Sequence, residues 1–474
     1  MRQIGADLRA KQAAQEAAER RAERAERRSR GIFLLLLALA IAIAAYVLVG
    51  LGKRGRVPID LALYGSIFVV GYGAAWALVR RVARAADPAL LPAAAALTGL
   101  GFAVIFRLSG DLAAEQATWL VVGLLAFAAT LLLVRDHRQL DAYTYTIGLI
   151  GLALLLLPIA PVIGRTINGA RLWVQIGPVG FQPSELGKVF IVIFLASYLN
   201  ANREVLSTGT GPFGLPQARH LGPILLAWGA SLAILFLQKD LGASLLYFAI
   251  FVVMLWVATG RAWYLLIGFA LFAAGAYLGY LAFSHVQLRV DVWLHALDPA
   301  KVNAQGYGQL AQGQFGMASG GLFGSGLGQG VPTTIPFAST DFIFAAIGEE
   351  LGLLGTTATL LLYVVLVGRG LRVAVQCRDG FGTLLATGLS SVIGIQAFVI
   401  IGGVTRLIPL TGVTLPFVSY GGSSLVSNFI ILALLVRISA GANPRRRPAR
   451  KADATPVPSS AESAEGPDEH TAHG

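Results

Sequence analysis

The sequence predicts an all-α polytopic membrane protein of about twelve transmembrane helices, and three observations carry that reading. Of its 474 residues, 55% are hydrophobic and only 13% charged, against about 25% charged in soluble domains. The apolar residues gather in runs of roughly 20, the length of helix that crosses a hydrocarbon core about 30 Å thick. Gly and Pro, 56 and 20 in number, fall inside several of these runs, which membrane helices tolerate because their neighbours re-satisfy the freed backbone groups.

In chain order the predicted spans are 31–52, 60–80, 88–107, 117–134, 143–161, 184–200, 221–238, 241–258, 262–284, 341–367, 381–403 and 416–437. Residues 1–30 form a basic tail with nine Lys or Arg, and "RRRPARK" (Arg445 to Lys451) follows the last span. By the positive-inside rule both ends are cytoplasmic, as an even number of spans requires. Arg80, Arg81, Arg84, Arg135, Arg138, Arg203, Arg219, Arg261, Arg369 and Arg372 then also face the cytoplasm, while the "KRGR" at 53–56 is an exception to the pattern. The charge of +12 is thereby a matter of topology rather than nucleic-acid binding. The chain thus divides into a cytoplasmic tail (1–30), a membrane domain (31–440) and a Pro-, Ser- and Glu-rich tail (441–474) that cannot bury a core. The single cysteine, Cys377, excludes an internal disulfide framework and a multi-Cys metal site.

The long outer connection, 285–340, holds ten glycines between Gly306 and Gly330, and a long loop at a membrane face is usually functional. Four motifs surround it. "GFQPSELGKVF" puts Glu185 and Lys188 three residues apart on one helix face. "FLQKDLGASLL" sets Asp240 between apolar runs, where an ionised group costs from about 2.5 kcal/mol upward and needs a partner; Lys188 and Asp240 are candidates to pair, as a structural bridge or as the wall of a headgroup cavity. "STDFIFAAIGEELG" puts Asp341 at the head of a span and Glu349 and Glu350 inside it. By pattern alone, Asp341 is either a reactive group or a helix-start acid held by backbone N–H groups, and the two glutamates are structural. "VTRLIPLTGVTLPFVSYGGSSLVSN" brings Arg406 and the hydroxyls around Ser423, whose small residues serve either close helix packing or a polar cavity. The glycine loop is no dinucleotide fingerprint, since no strand precedes it. No His, Cys and carboxylate cluster with ligand spacing is evident, and His137, His220, His285 and His295 read as surface or interfacial residues.

Taken in order, "FQPSELGK", "KDLGAS", "GGLFGSGLGQG", "TDFIFAAIGEELG" and "PLTGVTLPFVSYGGSS" resemble the SEDS family, the RodA, FtsW and SpoVE membrane glycosyltransferases that polymerise lipid II into peptidoglycan glycan strands. The likeness covers roughly 88–440 and leans toward the actinobacterial RodA type. It implies a ten-helix core, with the first two helices an addition. It also implies that Asp341, in Thr-Asp-Phe-Ile, is the catalytic acid, and that the family's Lys/Asp pair falls on Lys188 and Asp240 with Glu185 beside them. A single-pass class B penicillin-binding protein is the implied cross-linking partner. Three places depart from the family. Lys239 stands where a proline usually precedes the aspartate, and Trp173 is kept while its arginine moves to Arg171. "PFAS" (Pro336 to Ser339) replaces Pro-Glu-x-His.

The chemistry expected is removal of a proton from an acceptor sugar hydroxyl by Asp341, with Arg289, Arg406 and Arg171 as cations for the leaving pyrophosphate. A divalent ion, Mg²⁺ or Mn²⁺, could share that work. The alternatives are a lipid II flippase, the division-specific FtsW-type paralogue, or a scaffold that recruits a transpeptidase.

Overall fold

A computed structural model describes residues 2–161, 163–167, 170–177, 179–208, 218–238, 240–302 and 307–442. Lys239 and, from 443 on, the C-terminal tail lie outside the described residues. Every predicted span falls on a helix: α1 (Arg2–Arg54), α2 (Leu61–Val82), α3 (Leu90–Leu108), α4 (Gly110–Leu133), α5 (Thr144–Leu156), α6 (Pro183–Ala201), α8 (Ala218–Leu237), α9 (Leu241–Thr259), α10 (Trp263–Ala282), α13 (Ile343–Gln376), α14 (Gly380–Val404) and α15 (Gly422–Ala442). Three further helices lie in the connections: α7 (Arg203–Thr208), α11 (Ser284–His295) and α12 (Gly308–Gly320). Among the described residues eleven helices are long and apolar enough to cross a membrane, and α8, on the seventh predicted span, is the one predicted span outside that set.

The centre of the bundle is α3, α6, α14 and α15, whose residues are mostly buried, whereas α10 is almost wholly exposed along its length. Around that centre α1 lies along α3, α4 along α15, α5 along α6 and α13 along α14. Small residues set these distances, because van der Waals packing rather than hydrophobic exclusion holds helices together in lipid. A β-carbon on Gly99 of α3 would stand 2.2 Å from the Ala42 β-carbon of α1, so only glycine admits the N-terminal addition at that crossing.

Three local features depart from the sequence reading. An antiparallel sheet of order β1-β2-β3 (Gly164–Ile167, Ala170–Ile176, Val179–Phe181) fills the α5–α6 connection, with Arg165 opposite Trp173 and Val174 opposite Phe181. The last helix begins at Gly422 rather than 416. Residues 405–421 stay irregular because Gly412 (φ +78°) and Phe417 (φ +66°) take left-handed backbone conformations that no right-handed helix contains, so the Ser-Tyr-Gly-Gly-Ser-Ser run straddles the helix start.

The third concerns the glycine-rich segment, which is an ordered clasp on α13. Gly352 breaks that helix (φ 65°, ψ −162°), and the backbone groups freed there pair with the clasp: Ser325 N–H donates to Glu349 O (3.0 Å), Gly326 N–H to Glu350 O (3.0 Å), and Leu353 N–H to Gly321 O (2.9 Å). The Glu350 carboxylate accepts from Gly328 N–H (3.0 Å) and pairs with Arg107 (2.8 Å), while Glu349 accepts from Val331 N–H (2.5 Å). Both acids inside the apolar helix therefore bind the loop, as their structural reading anticipates. Gly324 is required for the approach, since a β-carbon there would lie 2.2 Å from Glu350 O.

Candidate functional site

Transmembrane helices alternate in direction, so the α5–α6, α8–α9, α10–α13 and α14–α15 connections all emerge at one end of the bundle. The four sequence motifs meet at that end, and the irregular 405–421 segment is what they meet on.

Asp341 sits one turn ahead of α13, half-buried. Its strand of chain is pinned on both sides: Tyr420 N–H donates to Ser339 O (2.8 Å) and the Ser419 hydroxyl to Thr340 O (2.6 Å). Ser419 is itself fixed, since its oxygen accepts from Leu415 N–H (2.9 Å). The Thr340 hydroxyl donates to Phe337 O (3.3 Å) and stands next to the Asp341 carboxylate. Burial pushes that carboxyl up to about 6, against the opposing pull of Arg289 and of the neighbouring Thr340 hydroxyl.

Arg289, on α11, donates through Nη1 to the carbonyls of Leu410 (3.0 Å) and Thr411 (2.9 Å). Its Nη2 and the Asp341 Oδ2 flank Gly412, at 3.9 and 3.6 Å from where a β-carbon would be. The guanidinium is coupled electrostatically to Asp240 as well as Asp341. Asp240 is buried and caps α9, accepting from Ala243 N–H (2.9 Å). The glycine of the Asp-Leu-Gly motif has a steric reason: a β-carbon on Gly242 would lie 2.8 Å from Thr411 O. So α9, α11 and the head of α13 converge on residues 410–412. Among the described residues the buried Thr411 hydroxyl there has no hydrogen-bond partner.

The expected Lys188–Asp240 bridge does not form. Lys188, 2% exposed, pairs with Glu185 one turn earlier on α6 (2.6 Å) and donates to Gln396 Oε1 (2.9 Å); among the described residues no ion pair joins it to Asp240. The reason is spatial: Asp240 is satisfied as a helix cap, and i,i+3 geometry brings Glu185 to Lys188 without any tertiary fit. Gln396, which sequence reasoning missed, relays the pair to the irregular segment by donating to Thr414 O (2.8 Å). Only its place on α14 reveals it.

The remaining candidates hold structure around this centre. Arg406 donates through Nε to Trp293 O (3.2 Å) and through Nη2 to Leu294 O (3.3 Å), while Trp293 Nε1 donates back to Arg406 O (3.0 Å). It thereby ties the last turn of α11 to the end of α14. Ser423 accepts from Gln182 N–H (2.8 Å), joining the start of α6 to that of α15. Trp173 lies in β2, and Arg171 in the same strand donates to Ala160 O (3.0 Å).

One expectation is overturned at the opposite end of the bundle. The sequence shows no His, Cys and carboxylate cluster, yet the fold gathers His137, Cys377 and Asp379 with ligand atoms within 4.8 Å of one another, the only such group among the described residues. The 240 residues between His137 and the other two hide it from any spacing rule.

The profile of the "cell cycle protein" family of FtsW, RodA and SpoVE matches residues 90–443, from the head of α3 to the end of α15. The peptidoglycan glycosyltransferase RodA of Mycobacterium tuberculosis is 46% identical over 441 residues, 90% of this chain and 92% of that one. A probable peptidoglycan glycosyltransferase FtsW of Geobacter metallireducens is 34% identical over 74% of this chain and 94% of its own. Among solved structures, one described as "Structural coordination of polymerization and crosslinking by a peptidoglycan synthase complex" superposes with a TM-score of 0.62 at 30% identity, covering 76% of this chain and 99% of that one. The chain therefore belongs to the FtsW/RodA/SpoVE (SEDS) family of multi-pass membrane proteins.

Proposed function

We infer that this chain is a peptidoglycan glycosyltransferase that polymerises lipid II into glycan strands, with Asp341 as general base. The activity rests on relatives of that name over nine-tenths of the chain. The assignment of the base rests on one observation above the others: Asp341 is a half-buried carboxylate with a raised pKa, held by backbone pins beside a half-buried arginine.

In the reaction the 4-hydroxyl of an acceptor sugar attacks the anomeric carbon of the lipid-linked donor. The O–H proton passes to Asp341, the new C–O bond forms, and the bond to the pyrophosphate breaks with its electrons on the departing oxygen. A sugar hydroxyl is a poor nucleophile, so a positioned base contributes about 10²–10⁴-fold. A single displacement turns an α-linked donor into a β-1,4 link without a covalent intermediate. Arg289, already desolvated, supplies positive charge where the pyrophosphate develops its own. Both termini are cytoplasmic by the positive-inside rule, so the site faces outward in the plasma membrane.

The higher identity to RodA than to FtsW supports a role in elongation. A class B penicillin-binding protein is the natural partner, since nothing in the membrane domain resembles a transpeptidase and the similar solved assembly couples polymerisation to crosslinking. Purified protein in detergent, with no membrane to cross, is expected to convert lipid II to polymer on a gel. Failure to do so with active partner present would favour the flippase.

The pH dependence follows from the sign of the shift. A base works deprotonated, so kcat/KM is expected to be flat above pH 6 and to fall about tenfold per unit below it, since Asp341 titrates at about 6. Arg289 holds that pKa down, so Arg289→Gln should move the acid limb to higher pH as well as slow the plateau by about 10²-fold, the usual cost of one lost electrostatic contact. An unmoved limb would separate Arg289 from Asp341.

A further inference from the structure

We propose that His137, Cys377 and Asp379 form a transition-metal site of the zinc class, at the end of the bundle opposite Asp341. The three residues come from different elements: a 3₁₀ segment (His137–Tyr143) between α4 and α5, the residue that ends α13, and the N-cap of α14. Nitrogen, thiolate and carboxylate donors are the set that zinc takes.

The three donors lie within 4.8 Å of one another. His137 Nε2 lies 3.1 Å from Asp379 Oδ2, and Cys377 Sγ lies 3.3 Å from the same oxygen. Donors about 2.0–2.3 Å from one tetrahedral ion lie roughly 3.3–3.7 Å apart. All three side chains pack against the first turn of α14: a β-carbon on Gly382 would lie 2.6 Å from Cys377 Sγ, 2.6 Å from His137 Nε2 and 2.9 Å from Asp379 Oδ1, so glycine at 382 is what lets the three donors gather there.

The carboxylate divides its work. Oδ1 caps α14, accepting from Gly382 N–H at 2.7 Å, and Oδ2 is the oxygen turned toward histidine and thiol. On the other side of the imidazole, Nδ1 lies 3.5 Å from Asp136 Oδ1, the carboxylate–histidine arrangement that fixes the tautomer in metal sites. His137 is buried while Asp379 and Cys377 are half-buried, which leaves a route for the ion and a water as fourth ligand. Arg138 Nη2 shares Asp379 Oδ2 at 3.3 Å but is 61% exposed, so the ion can displace it into solvent. The site would staple the α4–α5 connection to the α13–α14 turn.

Co²⁺ is the probe, because Cys377 is the chain's single cysteine and a thiolate-to-cobalt charge-transfer band can arise nowhere else. Full-length protein purified without a histidine tag and stripped with chelator should bind one Co²⁺ with that band, and Zn²⁺ should bleach it. Cys377→Ser, nearly isosteric, should remain monodisperse and lose the band. Asp136→Ala should weaken binding about 10–100-fold. Zn²⁺ should raise the thermal midpoint of the wild type and not that of Cys377→Ser. Absence of the band at saturating Co²⁺, or equal Zn²⁺ stabilisation of both proteins, would overturn the proposal; cobalt bound without the band is binding at other histidines and counts against it too.

Discussion

Asp341→Asn is expected to slow glycan polymerisation about 10²–10⁴-fold, the usual contribution of a general base. Asparagine keeps the size of the side chain and can still stand next to the Thr340 hydroxyl. The backbone pins from Ser419 and Tyr420 act on residues 339 and 340, so nothing that holds the segment is removed. Lipid II binding and the thermal midpoint should accordingly stay near wild type while product disappears. Gel analysis of polymer made from lipid II in detergent reads this directly. Wild-type yield and chain length from the variant would refute the role of Asp341 and leave it a helix-start acid.

The second large effect is on stability. Lys188→Met removes a cation that is 2% exposed and leaves Glu185, 12% exposed on its side chain, without its partner at 2.6 Å. Breaking a buried pair by removing one member costs about 3–5 kcal/mol, because the remaining charge is stranded, whereas replacing both members is often nearly neutral. The single variant should therefore unfold at a markedly lower temperature in detergent, and Lys188→Met/Glu185→Gln should recover most of the loss. Glu185 keeps a contact from the Ser427 hydroxyl at 3.3 Å, too weak to replace an ammonium. If the double variant is no more stable than the single one, the Gln396 link to Thr414 rather than the ion pair is what Lys188 maintains.

Much of this protein is legible in one dimension. Span length and hydropathy locate the eleven membrane-crossing helices among the described residues and α8 besides, because each such helix must satisfy its backbone internally and cover about 30 Å of hydrocarbon with about 20 residues. Asp341 is visible because an acid at the mouth of an apolar helix is costly enough to need a reason. Glu185 and Lys188 are legible as neighbours, since three residues along a helix is a contact in itself. The sheet in the α5–α6 connection has a signal of its own, Asn168-Gly169 between Ile167 and Ala170, the preferred two-residue hairpin turn, but a reading by span length passes over strands this short.

Class and family follow from the chain read in one dimension, and Asp341 stands out there as a candidate, since these rest on local composition and contiguous motifs. Tertiary structure alone decided the partners: that Lys188 takes Glu185 and Gln396 instead of Asp240, that Arg289 stands across Gly412 from Asp341, that the glycine segment clasps Glu349 and Glu350, and that His137 reaches Cys377 and Asp379. The physical reason is common to all four. A side chain's pairing is settled by which helix ends the bundle brings together, and electrostatics and hydrogen bonding act over a few ångströms whatever the separation along the chain.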